Sequence, residues 1–182
     1  MRGRLFAYIG TSKSSRKDIA HTVARDLGLQ KIVKYSSRRP RVGEVEGLDQ
    51  HFVSPGELER LHQAGILTDI MMNDRGESFG VSRLEVEAAI ADERSAYITI
   101  PDPTPGLVAL FGDRVVRIFT YTDRDAYRHK LASAGATAAE LEQRLAIYDR
   151  KFTFAKDCEH VVRNDLTLDT ILQVRNIVAA YL

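Results

Sequence analysis

A single cysteine, Cys158, leaves the chain unable to close an internal disulfide. That excludes a disulfide-stapled fold and makes a reducing compartment, the cytoplasm, the expectation. Cys158 itself reads as an inert thiol. Long apolar runs are missing too: no stretch approaches the roughly 18 residues of a membrane-spanning helix. The run behind the opening Met-Arg-Gly-Arg, Leu5 to Ile9, is too short for the apolar core of a signal peptide. Nor is there an excess of one charge, since 26 Lys and Arg face 25 Asp and Glu for a formal net charge of +1. The chain as a whole therefore has no strong electrostatic pull on nucleic acid or on a membrane surface. Five histidines (His21, His51, His62, His129 and His160) stand without cysteine or carboxylate partners at ligand spacing, so no metal site is expected from them. No internal repeat and no low-complexity segment is present.

What remains is ordinary globular material: 182 residues, 44% hydrophobic and 28% charged. That length suits one domain with a small inserted subdomain, and it buries enough surface to need no staples. Short apolar runs alternate with longer periodic segments, the pattern of a parallel sheet covered by helices. Strands are expected at Leu5 to Ile9, Ile32 to Tyr35, Ala96 to Ile100, Val115 to Thr120 and His160 to Val162. Helices are expected from Arg16 to Leu27 and from Leu168 to Leu182, the latter with a buried stripe of Leu168, Ile171, Leu172 and Val174. Ser54-Pro-Gly-Glu57, Ser82-Arg-Leu-Glu85 and Thr137-Ala-Ala-Glu140 each have capping-box spacing at a helix start, and Pro55 takes the favoured first helical position. The stretch from Ser36 to about Gly80 differs in texture. It is rich in Gly, Pro and charge, with short β-like pieces such as Gln50-His-Phe-Val53, and reads as the inserted subdomain.

The cations are clustered: Lys13, Arg16 and Lys17 in one group, Lys34, Arg38, Arg39 and Arg41 in another. The first follows a strand and Gly10 and opens a helix, the setting of the phosphate loop Gly-x-x-x-x-Gly-Lys-[Ser/Thr]. In that loop backbone N–H groups wrap phosphates beside a helix N-terminus. Here Gly10 is in register and Thr11-Ser-Lys-Ser-Ser-Arg-Lys17 follows. Ser15 replaces the second glycine, Arg16 the lysine and Lys17 the magnesium-binding hydroxyl. Ser15 would be strained if its site needs a positive φ, and crowds the phosphates. Arg16 binds phosphate but does not reproduce a lysine point charge. Protonated Lys17 cannot ligate Mg²⁺. Gly10, Lys13, Ser14 and Ser15 thus form a degenerate ATP loop that still suits an anion. The bland alternative is a solvated basic loop.

The second group carries more information. The chain reads Lys34-Tyr-Ser-Ser-Arg-Arg-Pro-Arg-Val-Gly-Glu-Val-Glu-Gly-Leu-Asp-Gln-His-Phe-Val53. Two arginines three residues apart, stiffened by Pro40, can present guanidinium forks to one phosphate. The alternative for Arg38, Arg39 and Arg41 is an exposed basic edge strand. This segment resembles the acceptor-binding motif of the guanylate kinases, Ser-x-Thr-Thr-Arg-x-Pro-Arg-x-Gly-Glu followed by Gly-x-x-Tyr-x-Phe-Val. Arg38, Pro40, Arg41, Gly43, Glu44, Gly47, Phe52 and Val53 match in spacing. Phe79-Gly-Val-Ser82 and Val161-Val-Arg-Asn-Asp165 resemble later family motifs, so the likeness covers nearly the whole chain.

The resemblance implies an α/β fold: a P-loop kinase-like parallel sheet flanked by helices, a small inserted β subdomain for the nucleoside monophosphate (NMP), and a helical lid. As divisions it implies core 1–35, 81–122 and 155–182, arm 36–80 and lid 123–154 within one domain, 1–182. Arg38 and Arg41 would grip the acceptor phosphate. Gln50 stands where the family has a phosphate-binding tyrosine, and Phe79 keeps the ring of a second one without its hydroxyl. Lys34 replaces a serine that helps hold the base, Val81 replaces a Ser/Thr, and Asp69 falls near the glutamate that reads guanine. The family's Asp-x-Asp becomes Thr99-Ile-Pro101, with Asp102 one residue later. Arg144 matches a lid arginine that neutralises the transferring phosphoryl group. The lid's Arg-Gly pair appears as Ala134-Gly135, with Arg124, Arg128 and Lys130 nearby as substitutes. The catalytic candidates are therefore Arg16, Lys17 and Arg144. The expected function is binding of a nucleoside monophosphate or similar phosphorylated ligand, with ATP-dependent phosphotransfer weak or lost. ATP with Mg²⁺ is the one cofactor the resemblance suggests. The alternatives are an active nucleoside monophosphate kinase, with GMP or an altered acceptor, and a module that binds a phospho-ligand or a protein partner.

Overall fold

The computed structural model describes residues 3–91, 93–165 and 167–182. Five parallel strands form the main sheet: β1 (Leu5–Gly10), β2 (Gln30–Lys31), β7 (Ala96–Thr99), β8 (Val115–Tyr121) and β9 (His160–Arg163), in the order β2-β7-β1-β8-β9. Every residue of β1 is buried, which a strand covered on both faces requires and which its unbroken apolar run supplies. Alternation then assigns its side chains. Phe6 and Tyr8 pack with α1 (Arg16–Leu27) and α7 (Leu168–Ala179). Leu5, Ala7 and Ile9 face a second cluster built from α3 (Arg83–Ala89), α4 (Pro105–Phe111) and the smaller sheet.

That smaller sheet contains β3 (Tyr35–Ser36), β4 (His51–Phe52), β5 (Leu67–Met72) and β6 (Ser78–Ser82), in the order β4-β3-β6-β5. The helix α2 (Pro55–Gln63) lies between β4 and β5 in the chain, and α5 (Arg124–Ser133) with α6 (Ala138–Phe152) make a helical pair around buried Tyr127, Leu131 and Tyr148. Among the described residues no helix is long and apolar enough to cross a membrane.

Three expectations change. The strand read at Ile32 to Tyr35 is split, because it spans the passage between sheets. Ile32 still donates its N–H to Tyr97 of the main sheet, and pairing resumes at Tyr35 in the small one. The capping carboxylate reaches back only at Thr137–Glu140. Ser54 and Ser82 accept from Glu57 and Glu85 backbone N–H groups, but Glu57 is drawn to Arg60 and Glu85 to His51. In α7 the buried row is Thr170, Val174 and Val178, each four residues apart. Leu168 and Leu172 lie on a neighbouring row and are exposed.

Candidate functional site

The strands β1, β7, β8 and β9 end at one edge of the main sheet, the side where open α/β sheets place ligands. At that edge Gly10 leaves β1 so close to β8 that an added Cβ would lie 2.1 Å from the Thr120 carbonyl oxygen. Only glycine fits. The loop that follows is pinned on several sides. Thr11 donates its N–H to the Thr120 carbonyl at 3.1 Å, and Ser14 its N–H to Thr11 at 3.3 Å. The buried Ser14 and Thr120 hydroxyls are 3.2 Å apart, and the Asn164 side-chain amide donates to the Ser14 carbonyl at 2.7 Å. Lys13 and Ser15 are left-handed, at φ 59° and 52°. Ser15 therefore occupies a conformation that a glycine takes without strain, at roughly 1–2 kcal/mol. Its side chain does not cap α1, so the helix begins without a side-chain acceptor for its first-turn amides.

The cations of this loop behave differently. Arg16 is half-buried and turns back to donate to the Gly10 carbonyl at 3.0 Å. Burial lowers its pKa, opposed by the carboxylates of Asp74 and Asp102. Lys17 is exposed at the first turn of α1. Partial desolvation of its ammonium against the cavity wall, and then the charges of Arg16, Arg41 and Arg38, lower its pKa.

Arg38 and Arg41 have distinct surroundings. Arg38, with a side chain 8% exposed, donates through both terminal nitrogens to Glu44, at 2.6 and 2.5 Å. The same pair, with the Arg41 N–H donating at 2.7 Å, holds the Glu44 carboxyl down to about 2. Gly43 closes the turn at φ 84°, with the Glu44 N–H donating to the Arg41 carbonyl. Arg41, with a side chain 50% exposed, reaches Glu77 at 3.1 Å.

The other acceptor-side residues lie deeper. Lys34 donates to the Thr99 carbonyl at 2.7 Å and sits 4.9 Å from the centre of the buried Phe79 ring. Burial, then the charges of Arg16, Lys17, Lys31 and Arg38, pushes the Lys34 amine down to about 7. Gln50 is buried, and its side-chain oxygen has no hydrogen-bond partner. Asp69, read from the sequence near the guanine-reading position, is engaged within the fold. Its two oxygens accept the Gly106 and Leu107 N–H groups at 2.9 and 3.1 Å, which caps α4 in place of Thr104. The fit is tight: a Cβ on Gly106 would lie 2.7 Å from the Asp69 carboxylate.

One cavity of about 970 Å³ joins the loop, Arg41 and α6. The loop residues Thr11 to Asp18 form one wall, Arg41 and Asp74 another, and Arg144 and Lys151 of α6 a third. Lys34, Arg38, Gln50, Asp69 and Phe79 are outside its lining. Across the cavity Asp74 accepts from Lys151 at 3.0 Å, Ser12 at 3.3 Å and Arg150 at 3.5 Å, so one carboxylate touches the hairpin, the loop and the helical pair. Burial raises the pKa of Asp102, with Asp74 adding to the effect and Lys151 opposing it. Of the lid substitutes, Arg124 is instead paired with Asp149 at 2.8 Å. Asp74 and Lys151 carry no assignment from the sequence, and Asn164 enters there only within the Val161–Asp165 motif. Lys151 had a usable signal, since it follows Arg144 by seven residues, two turns along the same face of α6. Away from the site, burial pushes the Cys158 thiol up to about 12, and its sulfur donates to the Phe154 carbonyl.

No family model matches the chain. It is 28% identical over 157 residues to guanylate kinase of Salinibacter ruber, covering 85% of this chain and 84% of that one. It is 24% identical over 176 residues to guanylate kinase of Porphyromonas gingivalis, covering 95% and 93%. Over most of its length the chain is similar to guanylate kinases. The crystal structure of guanylate kinase from Anaplasma phagocytophilum superposes on 99% of it with a TM-score of 0.76 at 22% identity, and so shares its fold. Shikimate kinase from Bacteroides thetaiotaomicron shares the fold more loosely, at a TM-score of 0.53.

Against the guanylate kinase pattern, the residues present do not fit a magnesium ion. Lys17 puts an ammonium where the loop hydroxyl would ligate it, and Asp74 is already neutralised by Lys151. Among the described residues no three His, Cys, Asp or Glu side chains are grouped to hold a metal.

Proposed function

We propose that this chain binds a nucleoside monophosphate or a similarly small phosphorylated ligand between the arm 36–80 and the loop 10–17, and that its ATP-dependent phosphotransferase activity is weak or lost. The core, arm and lid divisions of the sequence reading are part of this proposal, as is a cytoplasmic setting. The observation that carries it is the shared cavity, in which Arg41 of the arm, the loop 11–18 and Arg144 of α6 line one space. A ligand phosphate there meets an arginine fork, a helix N-terminus and a second guanidinium. Arg41 is the direct phosphate ligand in this reading. Arg38 holds the arm in shape through Glu44, and Arg144 neutralises the far side of the anion. Weak chemistry follows from Ser15, Arg16 and Lys17, which replace three of the loop's defining groups.

Two assays test it. Calorimetric titration with a panel of nucleoside monophosphates should give saturable binding that Arg41→Ala weakens. ADP formation from ATP and Mg²⁺ with the same panel should stay at the level of the Arg41→Ala control. Turnover well above that control, lost in the variant, would replace this reading with that of an active nucleoside monophosphate kinase.

A further inference from the structure

The loop's departure from magnesium chemistry has a positive side. The cavity lining carries seven Lys and Arg side chains against three acids, Asp18, Asp74 and Glu140. Three of those cations are already engaged: Arg16 by the Gly10 carbonyl, Arg41 by Glu77, and Lys151 by Asp74, while Lys13, Arg75 and Arg144 share with Lys17 the lack of an ion pair among the described residues. Lys17 makes no ion pair among the described residues, and it stands in the first turn of α1, whose N-cap contributes no side-chain hydrogen bond. The buried Thr11 hydroxyl on the same lining also has no partner. An uncompensated ammonium, an uncapped helix N-terminus and an orphan hydroxyl thus meet at one wall.

We infer that Lys17 supplies in covalent form the positive charge that a divalent cation would bring, so that the loop 10–17 binds a nucleoside polyphosphate without metal. The ligand class is a free, fully ionised di- or triphosphate rather than its magnesium complex. Lys17 stands at the helix position whose hydroxyl would ligate that metal, so its ammonium acts on the same side of the phosphate chain. Desolvation first, and then the charges of Arg16, Arg41 and Arg38 against that of Glu44, lower the Lys17 pKa, and an arriving polyanion offsets the repulsive part. A magnesium ion bound to the phosphates would compete with Lys17 for the same oxygens. This inference rests on the reading of the cavity as a phosphate site, and it adds that the site's donor half needs no metal.

The test is calorimetric titration of the intact chain with ATP at constant ionic strength, once in EDTA and once in excess MgCl₂, for wild type and Lys17→Thr. Lys17 is exposed, so the variant should melt with the wild type, and a thermal melt checks this. The expected result is that wild type binds ATP in EDTA at least as tightly as with Mg²⁺. Lys17→Thr should lose about tenfold or more in EDTA, the size of one lost charged hydrogen bond, and recover part of it when Mg²⁺ is added. A wild-type affinity that rises tenfold with Mg²⁺ overturns the inference, as does a Lys17→Thr variant with wild-type affinity in EDTA. Absence of ATP binding in both buffers overturns it as well. In that last case monophosphate binding that still depends on Arg41 leaves the proposed function standing.

Discussion

Arg38 and Glu44 meet through two parallel hydrogen bonds of 2.6 and 2.5 Å, on a segment whose arginines the motif marks as phosphate ligands. The pair is mostly enclosed, with side chains 8% and 21% exposed, and it sets the shape of the turn that presents Arg41. Glu44→Gln should therefore destabilise the chain at pH 7 by about 1.5–3 kcal/mol, the range for a hydrogen bond to a charged group. Urea unfolding measures it. The pH dependence has a definite sign. The folded Glu44 carboxyl lies near 2, below its ordinary value of 4.5, so its stabilisation is complete above 4.5 and is lost as pH falls from there through about 2. The stability gap between wild type and variant should close over that window.

Asp69 is predicted to serve the fold and not the ligand. Asp69→Ala removes the acceptor for the Gly106 and Leu107 N–H groups and should lower stability by about 0.5–2 kcal/mol, as loss of a helix cap does. Affinity for a nucleoside monophosphate should be unchanged in calorimetry. A selective loss of affinity without loss of stability would return Asp69 to the base pocket.

Lys34 titrates in an accessible range. Its folded amine lies near 7 against an ordinary 10.5, so between those values the unfolded chain carries a proton there that the folded chain does not. Stability then rises with pH through that window. Wild type should gain stability relative to Lys34→Met between pH 7 and about 10, measured by urea unfolding at several pH values. Parallel curves would show that the amine is not perturbed.

The sequence carried the fold because its signals are local. β1 is one apolar run, α1 runs from Arg16 to Leu27 as expected, and the full capping box at Thr137 is written in residues three apart. The loop's departures were legible as well, whereas the positive φ that makes Ser15 a strained choice came from the structure. The site's partnerships were not. Asp69 finds its acceptor role 37 residues away, at α4, and Asp74 meets Lys151 across the cavity. Such pairs depend on how two elements dock, which residue spacing does not encode. Leu168 and Leu172 misled for the opposite reason: they are apolar and correctly spaced, but on a row of α7 that turns away from the sheet.

The measurement that bears most directly on the central claim is the affinity of wild type and Arg41→Ala for a nucleoside monophosphate, taken by calorimetry in the same buffer with a thermal melt of each protein. Arg41 lines the cavity with a half-exposed side chain, so its loss should leave the melt in place and weaken binding by about 1.5–3 kcal/mol. Equal affinities in two equally stable proteins would contradict the account, because the arm would then contribute no phosphate ligand to the cavity it lines.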